Sequence, residues 1–278
     1  MRQRELRVDA GDGTSFGATV FDPEADMGRR VILCGPAMGV RATYYRPLAE
    51  AWRNLGYPAV TFDLRGIGSS SVRAGRRVDF GYRDIVEIDL PAIVETVRRE
   101  FPGRPIVFQG HSLSGQLACL HASRWPQSFE HLLLVATCSV YYKPWGARLW
   151  LFLHLARFLS RVLGHFPGDR LGFAGREART LVLDWSRQGF DGAYVLSGTD
   201  FDYESCLADL VTPVYALHFS DDHLAPPAAV RHLLDKMPGE TTSRHCIDPS
   251  EIGVDRLGHF EWVRSSEALV QQLAERLR

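Results

Sequence analysis

Gly110-His111-Ser112-Leu113-Ser114-Gly115 follows the apolar run Ile106-Val107-Phe108-Gln109 and opens into Gln116-Leu117-Ala118-Cys119-Leu120. An apolar strand, a tight turn and the start of a helix put a serine on a nucleophile elbow. Small residues two positions either side let strand and helix crowd together, which pushes the hydroxyl out at the sheet edge. The usual pattern is G-x-S-x-G; here Ser114 takes the place of the second glycine and Gly115 follows. So short a motif also occurs in ordinary strand-to-helix turns, and its meaning depends on the elements and partners around it.

Upstream, Glu5–Val8 and Phe16–Phe21 read as short strands joined through the turn signal Gly11-Asp12-Gly13. Arg30–Cys34 is an apolar strand ending in Gly35-Pro36, and the helical pattern from Tyr44 to Leu55 stops at Gly56. Ala59–Phe62 predicts another buried strand, Asp84–Glu100 a helix, and Leu132–Ala136 the strand after the elbow helix. Strands alternating with helices, the strands almost continuously apolar, predict a mostly parallel α/β sheet with helices on both faces. Residues 141–209 break the alternation and read as helices and loops rich in Trp and Phe. The sheet resumes with Val214–Leu217, a helix near Ala228–Met237, a strand near Thr242–Ile247 and a last helix from about Ser265 to Leu277. The expected organisation is a core of residues 1–140 and 210–278, with 141–209 inserted as a helical lid over a site at the strand ends.

A chain of 278 residues, 45% hydrophobic and 23% charged, is long enough for a substantial core and ordinary for a soluble protein. Its net charge of −1 gives no footprint for nucleic acid, and none is expected as a partner. Five scattered cysteines read as reduced thiols, and Met1–Leu6 lacks the apolar run of a signal peptide, so a cytoplasmic location is expected. Leu149–Leu163 is too short and too charged to span a membrane; His154, Arg157, Ser160 and Arg161 interrupt it at helical spacing, which predicts an amphipathic helix. Lipid contact by that helix is the sharper reading of it, a solvated lid surface the plainer one. The sequence does not disclose the oligomeric state.

A serine hydroxyl needs a base within hydrogen-bond reach, and the base needs an orienting carboxylate. In the elbow fold these follow in the order Ser, Asp or Glu, His. Phe219-Ser220-Asp221-Asp222-His223-Leu224-Ala225-Pro226 begins at a predicted strand end and offers two acids, each of which could instead cap a turn. Of ten histidines, only His259, in Gly258-His259-Phe260, joins the loop after the last strand to a following aromatic. His111 is expected to point away from the serine, and His218 and His223 lie near the candidate acids. An oxyanion needs backbone N–H donors. Leu113 should supply one; the second should come from Gly35-Pro36-Ala37-Met38-Gly39, where Pro36 has no N–H and Ala37 and Met38 are the candidates.

The Gly35–Gly39 loop, Asp63-Leu64-Arg65-Gly66-Ile67-Gly68-Ser69, the elbow, the Asp222/Pro226 segment and Gly258-His259-Phe260 together resemble the α/β-hydrolase superfamily over nearly the whole chain. Within it the chain is most similar to a group of bacterial predicted α/β-hydrolases with Asp-Asp-x-x-Ala-Pro ahead of Gly-His-Phe. That resemblance implies a Ser112–Asp222–His259 triad, with the acid four residues before Pro226 and Asp221 as its substitute. It also implies a serine hydrolase of carboxylesterase type, cleaving an ester or related acyl bond through an acyl-enzyme. No cofactor and no metal are expected. Relatives with dehalogenase or epoxide hydrolase chemistry carry aspartate at the position of Ser112. A thioesterase, an amidase or peptidase, a lyase with the same triad, and a ligand-binding member with little turnover remain open.

The partner expected is a small, apolar acyl substrate. The inserted segment is loaded with Trp145, Trp150, Phe152, Phe158, Trp185, Phe190 and Tyr194. Some must form the core of the lid, while Trp145, Trp150 and Trp185 are the candidates to line the pocket.

Overall fold

The computed structural model describes residues 3–26 and 30–277; Met1 and Arg2, part of the segment read for a leader, lie outside these. The chain opens with β1 (Gln3–Asp9), β2 (Ser15–Phe21), β3 (Val31–Gly35), α1 (Arg46–Asn54) and β4 (Ala59–Phe62). Next come α2 (Tyr82–Asp84), α3 (Leu90–Glu100), β5 (Ile106–His111), α4 (Leu113–Arg124) and β6 (His131–Val135). After β6 lie α5 (Ala147–Leu163), β7 (His165–Pro167), α6 (Gly168–Leu171), β8 (Arg176–Ala178), α7 (Arg179–Asp191) and α8 (Tyr203–Leu207). The chain closes with β9 (Val214–Phe219), α9 (Pro227–Leu234), β10 (Thr242–Ile247) and α10 (Ser266–Glu275).

Eight strands form one sheet in the order β1-β2-β4-β3-β5-β6-β9-β10. The pairs β1–β2 and β2–β4 are antiparallel and all the others parallel. Every residue of β3, β4, β5 and β9 is buried, so the middle of the sheet is covered on both faces. This is why those strands read as almost continuous apolar runs. The buried carboxylate of Asp63 is paired within the frame: it accepts the Ala42 amide at 2.8 Å and the Ser69 amide at 2.8 Å. A Cβ on Gly68, at φ 53°, would fall 2.1 Å from the Asp63 carboxylate, so the turn from Asp63 to Ser69 needs its glycine.

The predicted strands and long helices are present. Two details differ. The 84–100 helix begins at Tyr82 and passes through a wide π turn over Ile85–Asp89 before α3. The inserted segment also holds an antiparallel β7–β8 pair of three residues each, too short to leave an alternating pattern. All of α5 to α8 falls between residues 147 and 207, with α5 packed on α7. The outward face of α5 mixes exposed His154 and Arg161 with apolar side chains: Leu151, Leu155, Phe158 and Val162 are each about half exposed or more. No helix among the described residues is long and apolar enough to cross a membrane.

Candidate active site

Strand pairing fixes where the site forms. Gly35 at the end of β3 pairs with Gly110, His111 with Val135, and Val135 with Leu217. The loops after β3, β5, β6 and β9 therefore leave the sheet at one edge, which is where an open parallel sheet gathers its ligands. Ser112 sits at that edge with φ 53° and ψ −117°, a conformation costly for a residue with a side chain. Its amide donates to the Val135 carbonyl at 3.2 Å, and α4 starts at the next residue. Ser112 is partly exposed while His111 and Leu113 on either side are buried.

The displaced glycine has a physical account. A Cβ on Gly110 would lie 2.4 Å from the Gly115 Cα, and one on Gly115 would lie 2.3 Å from Thr137 Oγ1. Gly115 thus supplies the close approach between helix and sheet. Ser114 is buried, its hydroxyl accepting from the His111 amide at 3.1 Å and donating to the His111 carbonyl at 3.2 Å.

The two candidate acids divide the histidine loop between them. Asp222 Oδ2 stands 2.8 Å from His259 Nδ1, and its Oδ1 accepts the Leu224 and Ala225 amides at 2.7 and 3.1 Å. Both partners are nearly buried. With Nδ1–H donated to Asp222, the imidazole keeps Nε2 free as a base. Asp221 instead takes the backbone amides of Leu257 and Gly258.

The loop after β3 separates the two oxyanion candidates. The Ala37 amide donates to Tyr45 Oη at 2.9 Å, in a buried bond. The Ala37 proton is thus already committed. The Met38 and Leu113 amides have no acceptor among the described residues, and both residues, like Ala37, line the same cavity as Ser112 and His259. A Cβ on Gly39, at φ 74°, would overlap the Gly175 amide at 2.0 Å, so this loop lies directly against the inserted segment.

That cavity has a volume of about 620 Å³, within the range of small-molecule sites. Ser112, Leu113, Met38 and His259 form its floor, and Val140, Trp145, Leu149, Phe152, Phe173 and Trp185 form much of its wall. Arg148 and His223 are its polar members from the inserted segment and the acid loop. Trp150 is not among its lining. It is 40% exposed and packs edge-on against His154, because its helix turns it away from Leu149 and Phe152. Cys138 also faces the cavity, but burial pushes its thiol well above the usual range, so it stays protonated.

His111 turns inward, as expected of the residue before the serine, and is buried beneath His259 with ring centroids 5.0 Å apart. Tyr45 and Asp221 were the site residues that sequence reasoning underrated. Asp221 could be found from its place beside Asp222; Tyr45 carried no signal. Among the described residues no group of three or more His, Cys, Asp or Glu side chains is placed to hold a metal.

Residues 28–181 match the family model Hydrolase_4, described as serine aminopeptidase, S33. The chain is 28% identical over 176 residues to a pimeloyl-[acyl-carrier protein] methyl ester esterase of Nitrosomonas europaea, covering 56% of this chain and 68% of the relative. It is 22% identical over 232 residues to a monoacylglycerol lipase of Mycolicibacterium smegmatis, covering 80% of each. Among solved structures, the thioesterase domain from the curacin biosynthetic pathway superposes with a TM-score of 0.64 at 17% identity, over 99% of this chain and 100% of that one. The family match takes in more than half of the sequence, and the sheet order and strand-end site agree with it: the chain belongs to the Hydrolase_4 (serine aminopeptidase, S33) family and is an α/β-hydrolase.

Proposed function

We propose that this hydrolase cleaves an ester, or a related acyl bond, of an apolar acyl substrate through a serine-bound intermediate. The observation that carries the reading is one cavity floor shared by strained Ser112, by His259 paired with Asp222, and by the unpaired Leu113 and Met38 amides. Ser112 Oγ attacks the acyl carbon as its proton passes to His259 Nε2. Asp222 stabilises the imidazolium, and the two amides receive the charge on the tetrahedral oxygen. His259 returns the proton to the leaving alcohol as the carbon–oxygen bond breaks. Water then repeats the sequence and frees the acid.

The apolar wall supports an acyl chain or aromatic group packed against Trp145, Phe152 and Trp185. The segment 141–209 supplies most of that wall, which supports its reading as a lid. Both relatives described above are named for action on carboxylic esters, which favours ester over amide. The unpaired cysteines, three of them buried, support a reducing compartment such as the cytoplasm. A fluorophosphonate probe tests the reading: intact mass should rise by one adduct, mapped to Ser112. A protein that binds acyl compounds in this cavity without labelling would be a receptor instead.

A further inference from the structure

We propose that Tyr45 is a positioning residue that ties the oxyanion loop to the histidine platform through one hydroxyl, an inference that rests on the acyl-transfer reading above. Tyr45 closes the short helical turn Ala42–Tyr45 that follows the loop and is 1% exposed. Its Oη accepts the Ala37 amide at 2.9 Å and lies 2.6 Å from His111 Nδ1. Since the Ala37 N–H occupies one lone pair, the phenolic proton has a single buried destination, His111 Nδ1. This assigns the neutral Nε2–H tautomer to His111. Burial and the neighbouring His259 both hold His111 well below the ordinary histidine range, in agreement with a neutral acceptor.

The consequences reach both halves of the site. With its N–H drawn to Tyr45, Ala37 lines the cavity without an amide proton to offer it, and the next amide, Met38, is an unpaired donor on the same lining. On the other side, the His111 ring packs against His259, against Phe260 at 5.6 Å and edge-on against Trp262 at 5.2 Å. Tyr44 reinforces the link, donating its hydroxyl to the Phe260 carbonyl at 2.7 Å. The Tyr44–Tyr45 pair thus fastens one short turn to the loop that bears the oxyanion donor and to the loop that bears the base. A misplacement of either by a fraction of an ångström weakens stabilisation of the tetrahedral species more than binding of the ester.

Tyr45→Phe keeps the ring and removes the hydroxyl. On a soluble p-nitrophenyl ester it should lower kcat by about 10- to 100-fold and leave KM within about threefold. Affinity for a boronic acid or trifluoromethyl ketone should fall in step with kcat, a parallel that a merely structural residue would not produce. His111→Leu, which removes the acceptor, should reproduce the loss and guards against a Tyr45 variant that does not fold. Wild-type kcat in either folded variant overturns the proposal while leaving fluorophosphonate labelling of the wild type, and with it the acyl-enzyme reading, intact. A wild-type chain that neither labels nor turns over esters overturns both.

Discussion

Asp221 holds Gly258 by its backbone: both carboxylate oxygens accept the Gly258 amide, at 3.0 and 3.1 Å, and Oδ2 also takes the Leu257 amide. The next residue in each segment makes the side-chain pair, Asp222 with His259. Adjacent aspartates thus do different work on one loop, one fixing its path and the other fixing the ring. Asp222→Asn should lower kcat by roughly 10³- to 10⁴-fold through the wrong tautomer, with the fold intact. Asp221→Ala should cost about 1–3 kcal/mol of stability for two amides left unpaired, with a smaller loss of kcat. Urea unfolding and ester kinetics on the two variants separate the roles. Equal losses of kcat would deny the division.

The elbow makes an unequal demand on its two small residues. Gly115→Ala sets a methyl against Thr137 and should destabilise by about 1–3 kcal/mol. Ser114→Gly removes only a local hydroxyl bridge and should cost about 0.5–1.5 kcal/mol. Chemical denaturation midpoints check the order.

Much of this was legible from residues alone. Val31–Gly35, Ala59–Phe62 and Val214–Phe219 announce themselves because strands buried on both faces favour apolar residues at almost every position, Thr61 and His218 being the exceptions. Ser112, Asp222 and His259 stand out because chemistry at strand ends follows chain order, and the structure pairs Asp222 with His259 and sets His259 in the same cavity as Ser112. The role of Ala37 could not be read, because its amide partner is a phenol whose direction no local pattern encodes. Trp150 was misplaced for a similar reason: composition counts aromatics, whereas the turn of α5 decides which of them faces inward.

That turn gives a direct comparison of tryptophans. Trp145→Leu should raise KM for medium-chain p-nitrophenyl esters by about tenfold, because the smaller side chain buries less of the acyl chain at the cavity wall. Trp150→Ala should leave KM within about twofold, since its ring lies outside the cavity. A chain-length series measures both.

Acid should weaken the fold through His121. It is buried, with Nδ1–H donated to the Val86 carbonyl and Nε2 accepting from Ser128 Oγ, each at 2.9 Å. Burial, with the charge of Arg98 adding to it, pushes its pKa down to about 4 from 6.5. Between those values the unfolded chain binds a proton that the folded chain refuses, so stability falls as pH drops through that window. The loss should be about 2–3 kcal/mol from pH 7 to pH 4. Urea unfolding across that range should show at least this loss, since buried His111 acts in the same direction, and His121→Gln should reduce it by about 2–3 kcal/mol.

The central claim is that Ser112 forms the bond to the substrate. Turnover of a p-nitrophenyl ester by Ser112→Ala, with folding confirmed by circular dichroism, tests it most directly. The account predicts a fall of at least about 10³-fold in kcat, to a residue of activity from the oxyanion donors alone. Wild-type turnover in the folded variant would contradict it.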